Sequence, residues 1–366
     1  MATWTIRGGT VIDSEEGPWV VRDLHIGAEP GGQEVDATGC YVAPGFIDLH
    51  THVFSHSLFT HSRLQADRIG VRQGVACVVD AGSSGAITID AFPDNVHGTQ
   101  ATKVFAFINI GSPGLPTLGG GHASRPELCD LAATVKSFER HADWIVGVKV
   151  LASSSHTGSF GLEAVKLARK AAELVGKPLM LHVGNAPPLI DDVLDLLRPG
   201  DIVTHTYHGK TGGVLGYADR IIEPFKRAVD RGVVVDLGHG RSSFSFRVFE
   251  IALDQGMPIT TISSDLHRGN VDSHVFSLAR TMTKLRTFGF SLGEVVEKVT
   301  TAPARAIGID RHGFGSLTGG TLTIFRELDK QVDLMDAEGV VRRTKTWIEP
   351  VGVLVDGHYH KVCETI

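Results

Sequence analysis

Residues 44–54 read PGFIDLHTHVF, from Pro44 to Phe54. The stretch opens as an apolar strand and ends in His50 and His52, one residue apart. Alternate residues of a strand share a side, so the two imidazoles point one way at the place where a buried strand stops. Seven more apolar runs follow: VACVVDAG, KVFAFINIG, WIVGVKVLAS, PLMLHVG, DIVTHTYHG, VVVDLGHG and ITTISSDLH. They are rich in Val and Ile and few alternate with polar residues, as parallel strands buried on both faces do. Where neighbouring polar ends can be compared, they recur at intervals of roughly 23 to 31 residues, room for one strand, one helix and two loops. Eight such units predict an α/β chain built as a (β/α)8 TIM barrel, a fold of about 250 residues. The open doubly wound alternative carries a glycine-rich turn after its first strand, and HTHVFSH is not one.

Between the runs, Gly161 to Val175 is the clearest helix, with an apolar stripe at helical spacing and Gly176 and Pro178 to stop it. Arg125–Arg140, Ala218–Arg231 and Phe246–Gln255 read similarly. The first forty or so residues and the tail after Asp310 read instead as short strands and turns. Neither is long enough for a stable sheet alone. The expected organisation is therefore a barrel over 43–311 and one small β-sandwich made from 1–42 and 312–366.

Composition narrows the function. Of 366 residues 42% are hydrophobic and 21% charged, with a formal charge of -6, an ordinary folded chain with no basic surface for nucleic acid or anionic membrane. The start, MATWTIRGGTVID, has no secretory pattern, and no apolar run reaches the ~18–20 residues of a bilayer span. Cys40, Cys77, Cys129 and Cys363 are scattered without a CxxC pair, which fits neither a disulfide framework nor a zinc knuckle. A cytoplasmic location is expected. Histidine is the outlier, at 18 residues.

Position decides what those histidines do. The first run ends in His50 and His52, the fourth carries Lys149, the fifth ends in His182, the sixth in His205 and the eighth in Asp265. C-terminal strand ends of a barrel meet at one mouth, where active sites sit. Any one of these residues alone reads as a solvated strand end, a helix cap at Asp265, or a lysine extended to water. Together they read as a metal centre, because five of the six are ordinary ligand types. His208, three residues after His205, is a rival, but His205 directly follows DIVT.

The order HxH, Lys, His, His, Asp, with PGFIDLHTH, resembles the binuclear metal-dependent amidohydrolase superfamily. HVGNAPP and DLGHGRSSFSF bring it closest to the dihydroorotase-like deacetylase subgroup. The resemblance implies two divalent ions, zinc by default, with His50, His52 and Asp265 on one and His182 and His205 on the other. Lys149 is implied to be N6-carboxylated and to bridge them. It implies hydrolysis of an amide or ester in a small acylated substrate, an N-acyl amino acid or acylated hydroxy acid, by a metal-bridging hydroxide. Asp265 would act as the catalytic proton carrier. True dihydroorotases place an arginine where this chain has Phe54. Asn109, Tyr207, His208, His239 and Arg241 follow strand ends and are expected at the substrate; of these Arg241 would grip a carboxylate. His56, His61, His122 and His267, and a lid around Gly119, Gly120 and Gly121, are further candidates. The alternatives are a cyclic amide hydrolase (dihydroorotase or hydantoinase-like), a mononuclear deaminase and a non-catalytic scaffold. The expected partner is a small molecule, with no nucleic acid and no membrane, and a homo-oligomer is left open.

Overall fold

A computed structural model describes residues 3–13, 15–27, 32–55, 64–97, 100–115 and 121–362. His56, His61, Gly119, Gly120 and Cys363 lie outside these residues. Four strands open the chain: β1 (Trp4–Val11), β2 (Val20–Ile26), β3 (Gln33–Asp36) and β4 (Tyr41–Pro44). Seven follow: β5 (Phe46–Thr51), β6 (Val75–Gly85), β7 (Lys103–Asn109), β8 (Ile145–Ala152), β9 (Leu179–Val183), β10 (Ile202–Thr204) and β11 (Val234–Val235). The chain closes with β12 (Leu322–Met335), β13 (Val341–Val355) and β14 (His358–Lys361).

Strands from the two chain ends pair in one sheet. Their strands run in the order β14-β13-β12-β4-β1-β2, with β3 also on β1. By hydrogen bonding the expected sandwich is a single seven-stranded sheet. It branches at β1, whose first half pairs with β3 and whose last residues pair with β4. Trp4, Ile6, Val35, Val42, Leu322 and Ile324 form its core. The tail differs from the short strands expected of it. β12 and β13 form one long hairpin, because bulges at Ile324/Phe325 and Asp329/Val332 let the pairing continue past its irregularities. The hairpin's turn reaches the segment after β11: Ala337 N donates to Phe244 O at 3.0 Å and Phe246 N to Asp336 Oδ2 at 2.9 Å.

β5 to β11 form one parallel sheet in sequence order, β11-β10-β9-β8-β7-β6-β5. The eighth run is not a strand. It is an extended segment that bridges both edges, Asp236 to Thr261 on one side and Thr51 to Leu266 on the other. Asp265 N donates to His50 O at 2.7 Å, and His52 N to Leu266 O at 2.9 Å. Its regular pairing is interrupted where its own polar side chains bind the interior. Thr261 and Ser263 donate to Asp236, and Ser264 donates to Asp48.

The helix Gly161–Val175 has the expected bounds, with Gly176 in the left-handed region ending it. Phe246–Asp254 is capped by Ser245. The Arg125–Arg140 helix starts only at Leu131, because Asp130 caps it after a short turn that begins at Pro126. The Ala218–Arg231 helix starts at Glu223, because Ala218 and Asp219 take positive φ. No helix among the described residues is long and apolar enough to cross a membrane.

Candidate metal centre

The two histidines of PGFIDLHTH do point one way. His52 Nε2 lies 3.3 Å and His50 Nε2 3.5 Å from Asp265 Oδ1. His205 Nε2 is 3.8 Å from Asp265 Oδ2. The His182 ring lies 4.5 Å from that of His205, centroid to centroid, and His205 lies 4.8 Å from His50. Lys149 Nζ is 3.4 Å from His50 Nε2 and fully buried. All six strand-end residues therefore meet in one place.

The donor set fits a metal ion. The Nδ1 atoms of three rings are occupied: His50 by Thr204 Oγ1 at 3.0 Å, His52 by Ser83 Oγ at 2.8 Å, and His205 by Gly238 O at 2.5 Å. This leaves Nε2 of each ring beside Asp265, whose Oδ1 is buried without a hydrogen-bond partner. His50, His52 and Asp265 bring ligand atoms within 4.8 Å of one another and could hold an ion. Such outer partners fix the tautomer and aim of a metal-binding imidazole.

Burial sets the charges. It lowers His50 well below its ordinary value, with Lys149 adding to the effect, and it takes His205 down to about 3. Both rings are neutral at pH 7, the form in which an imidazole can take a metal ion. Burial would raise the Asp265 carboxyl, but contact with His52 and the nearby His205 hold it below the usual range. Burial pushes Lys149 down to about 7, against the pull of Asp265, Asp236 and Asp80, so a neutral amine is accessible there. Two residues of the cluster also take a backbone conformation that side chains avoid. His205 has φ 65 and Asp265 φ 50. Each such residue costs about 1–3 kcal/mol and tends to mark a functional site.

A cleft of about 770 Å³ opens over the cluster, lined in part by His50, His52, His182, His205 and Asp265. Arg241, Ser242, Ser243 and His267 also line it. The other expected substrate contacts are not among its lining residues. Asn109 is buried and bonded to Gly82 O and Gly111 N. Tyr207 packs on Phe225 and Phe249 and donates its hydroxyl to Pro258 O. His208 is buried and accepts from Lys210 N at 3.1 Å. His239 is buried against the Lys284 amine. In their place stand His156, in the short helix Ser154–Thr157 after β8, and Asn185, Lys210 and Arg268, in loops directly after predicted strands. Position after a strand end was the available signal. Which of several neighbours faces inward depends on loop conformation, which carries no sequence periodicity.

Comparison with known proteins agrees with this geometry. A family described as the amidohydrolase family matches residues 33–165. Deacetylase Atu3266 of Agrobacterium fabrum is 35% identical over 324 residues, 87% of this chain and 78% of that protein. A deacetylase of Enterococcus faecalis is 36% identical over 331 residues, 88% of this chain and 87% of the other. Among solved structures, one described as a dihydroorotase superposes with a TM-score of 0.90 at 31% identity, covering 100% of this chain and 99% of the other. One described as an adenine deaminase gives 0.88 at 31%, covering 98% and 99%. The chain is a hydrolytic enzyme of the amidohydrolase family.

Proposed function

We propose that this enzyme hydrolyses the amide or ester bond of a small acylated acid, an N-acyl amino acid or an acylated hydroxy acid. The observation that carries this is the charge of the cleft. Lys210, Arg241 and Arg268 line it, and no described carboxylate lies within ion-pair distance of any of them. Cations left unpaired around a cleft suit a substrate that brings its own carboxylate. The deacetylase relatives support the acyl half of the reading.

The fold reading is a (β/α)8 barrel closed by the extended segment through Thr261 and Leu266, with domain limits 1–42, 43–311 and 312–366. Two divalent ions, zinc by default, would be held by His50, His52, Asp265, His182 and His205, with N6-carboxylated Lys149 between them. Bound there, they would lower the pKa of water and polarise a carbonyl. Asp265 accepts the attacking water's proton and returns it to the leaving nitrogen or oxygen. Arg241 holds the substrate carboxylate.

Phe54 weighs against dihydroorotase chemistry. It is buried and stacks on Phe92, 5.5 Å away, instead of presenting a cation to the cleft. Purine deamination, suggested by the adenine deaminase likeness, gives no role to the buried Lys149 or the cationic lining. The test is metal analysis with a screen of N-acetyl D- and L-amino acids, O-acetyl hydroxy acids, cyclic imides and adenine. We expect two ions per chain and turnover of an acylated acid, with Arg241→Met raising KM about tenfold or more. Turnover of adenine or a cyclic imide alone would reject the proposal.

A further inference from the structure

A turn after β7 and the short helix Ser154–Thr157 after β8 place two more histidines beside the cluster. His122 is fully buried, and neither of its ring nitrogens has a hydrogen-bond partner among the described residues. Its ring lies 5.0 Å from that of His156, which lies 5.9 Å from that of His182. The backbone ties the loops together: Ala123 N donates to His156 O at 3.2 Å, and Gly121 N to Ser155 O at 2.9 Å. Gly111 makes the room, since a Cβ there would fall 2.6 Å from His122 Cδ2.

His156 lines the cleft, and its two nitrogens differ. Nδ1 is sealed from solvent without a partner, and Nε2 is not sealed. Buried N–H groups without an acceptor are rarer than acceptors short of a donor, so the proton of the neutral ring belongs on the nitrogen open to the cleft. No described carboxylate bonds to the ring to hold it as a cation.

We propose that His156 is a further catalytic residue, donating Nε2–H to the oxygen of the scissile carbonyl as that oxygen gains charge. This rests on the acyl-hydrolase reading above. Water adds to the carbonyl carbon, a C–O bond forms, and the carbonyl π pair moves to the oxygen that faces His156. Asp265 takes the proton of the water. On collapse that pair reforms the C=O bond, the C–N or C–O bond to the leaving group breaks, and the proton passes from Asp265 to the leaving atom. His156 keeps its proton throughout. A single preorganised donor of this kind contributes about 10²–10³ in turnover. His122 is a positioning residue, the wall that fixes the ring.

The experiment compares wild type, His156→Phe and His156→Gln on N-acetylalanine and O-acetyllactate, with metal content and melting temperature as controls. Affinity is measured calorimetrically for O-(methylphosphonyl)lactate, a tetrahedral anion, and for the product lactate. We expect His156→Phe to lower kcat by about 10²–10³, with KM within a few-fold. Phosphonate affinity should fall by a similar factor and lactate affinity should hold. His156→Gln, which retains a donor, should recover at least part of both losses. Turnover of His156→Phe within about threefold of wild type overturns the proposal, as does lost turnover with unchanged phosphonate affinity. If His156→Phe loses its metal, His156→Gln decides. Retained phosphonate affinity supports the donor role, and lost affinity with metal in place rejects it. A wild type inert to every acylated acid would instead reject the function reading.

Discussion

Gly240→Ala should damage catalysis far more than folding. Gly240 sits at φ +57, and a Cβ built on it falls 2.5 Å from Asp265 Oδ2. Ordinary contact starts at 3.4 Å, so the carboxylate must retreat by about 0.9 Å. It has little room to do so, because Asp265 N is held by His50 O at 2.7 Å. The left-handed backbone adds roughly 1–2 kcal/mol of strain with any side chain present. A misplacement near 1 Å costs about 10²-fold in rate, equivalent to about 2.7 kcal/mol. Gly256→Ala is the control: φ is +73 there and nothing lies within 4 Å of the added carbon. Both variants carry the backbone strain, and Gly240→Ala should lose somewhat more stability in denaturant titrations because of the added contact. Only Gly240→Ala should lose about 10² in kcat on the best acylated acid. Equal turnover of the two variants, with metal in place, would refute the claim that the position of Asp265 limits the rate.

Asp265→Asn keeps the side chain's volume and removes the proton acceptor; turnover should fall by at least ~10²–10⁴ while mass spectrometry finds most of the metal retained. Lys149→Ala should be inactive and regain partial activity with a short carboxylic acid plus metal, and unaided activity would count against a bridging carboxylate. Thr204→Val removes the hydroxyl between His50 Nδ1 and Asp236, 3.0 and 2.7 Å away. It should weaken metal binding about 10–100-fold, read by competition with a chelator. Burial lowers the Lys284 amine to about 7. Between that value and 10.5 the unfolded chain binds the extra proton, so this group makes wild type more stable as pH rises. The stability difference between Lys284→Met and wild type should therefore shift towards wild type from pH 7 to pH 9.5 in urea titrations, and a difference constant with pH would exclude the effect.

Much of this architecture can be read from runs of Val and Ile. β5 and β7 through β11 fall inside the expected stretches, β6 starts with its run and continues three residues past it to Gly85, and the helix Gly161–Val175 has the bounds its apolar stripe implies. The readings that differ share a cause, which is that tertiary bonds outweighed local pattern. In ITTISSDLH three hydroxyls turn to Asp236 and Asp48, and the segment bridges its neighbours instead of laddering with them. The tail reads as separate short strands because bulges interrupt its alternation, yet pairing carries across them. His239 looks like a substrate contact because it follows a strand end. Lys284, 45 residues later, meets it from a helix on the far side of the loop, and no local rule anticipates that pairing.

That six residues would cluster was legible because each is a histidine, an aspartate or a lysine at or near the end of an apolar run. The groups that hold them were not, because aspartate at the end of a run looks like any polar stop. Asp236 accepts from Thr204, Thr261 and Ser263, and Thr204 in turn holds His50. Asp80 accepts from Val53 N, Phe54 N and Ser83 N, and Ser83 holds His52. Asp48 takes two bonds from Ser264, next to Asp265. Burial alone would make such carboxyls costly, and it raises Asp48 to about 7 despite those bonds. Two residues of the cluster, His205 and Asp265, also stand in strained backbone. A chain gains nothing in stability from strained side chains braced by buried acids. Both costs are explained if the ligands must already be aimed before an ion or a substrate arrives, since a site that reorganises on binding would lose that energy from catalysis.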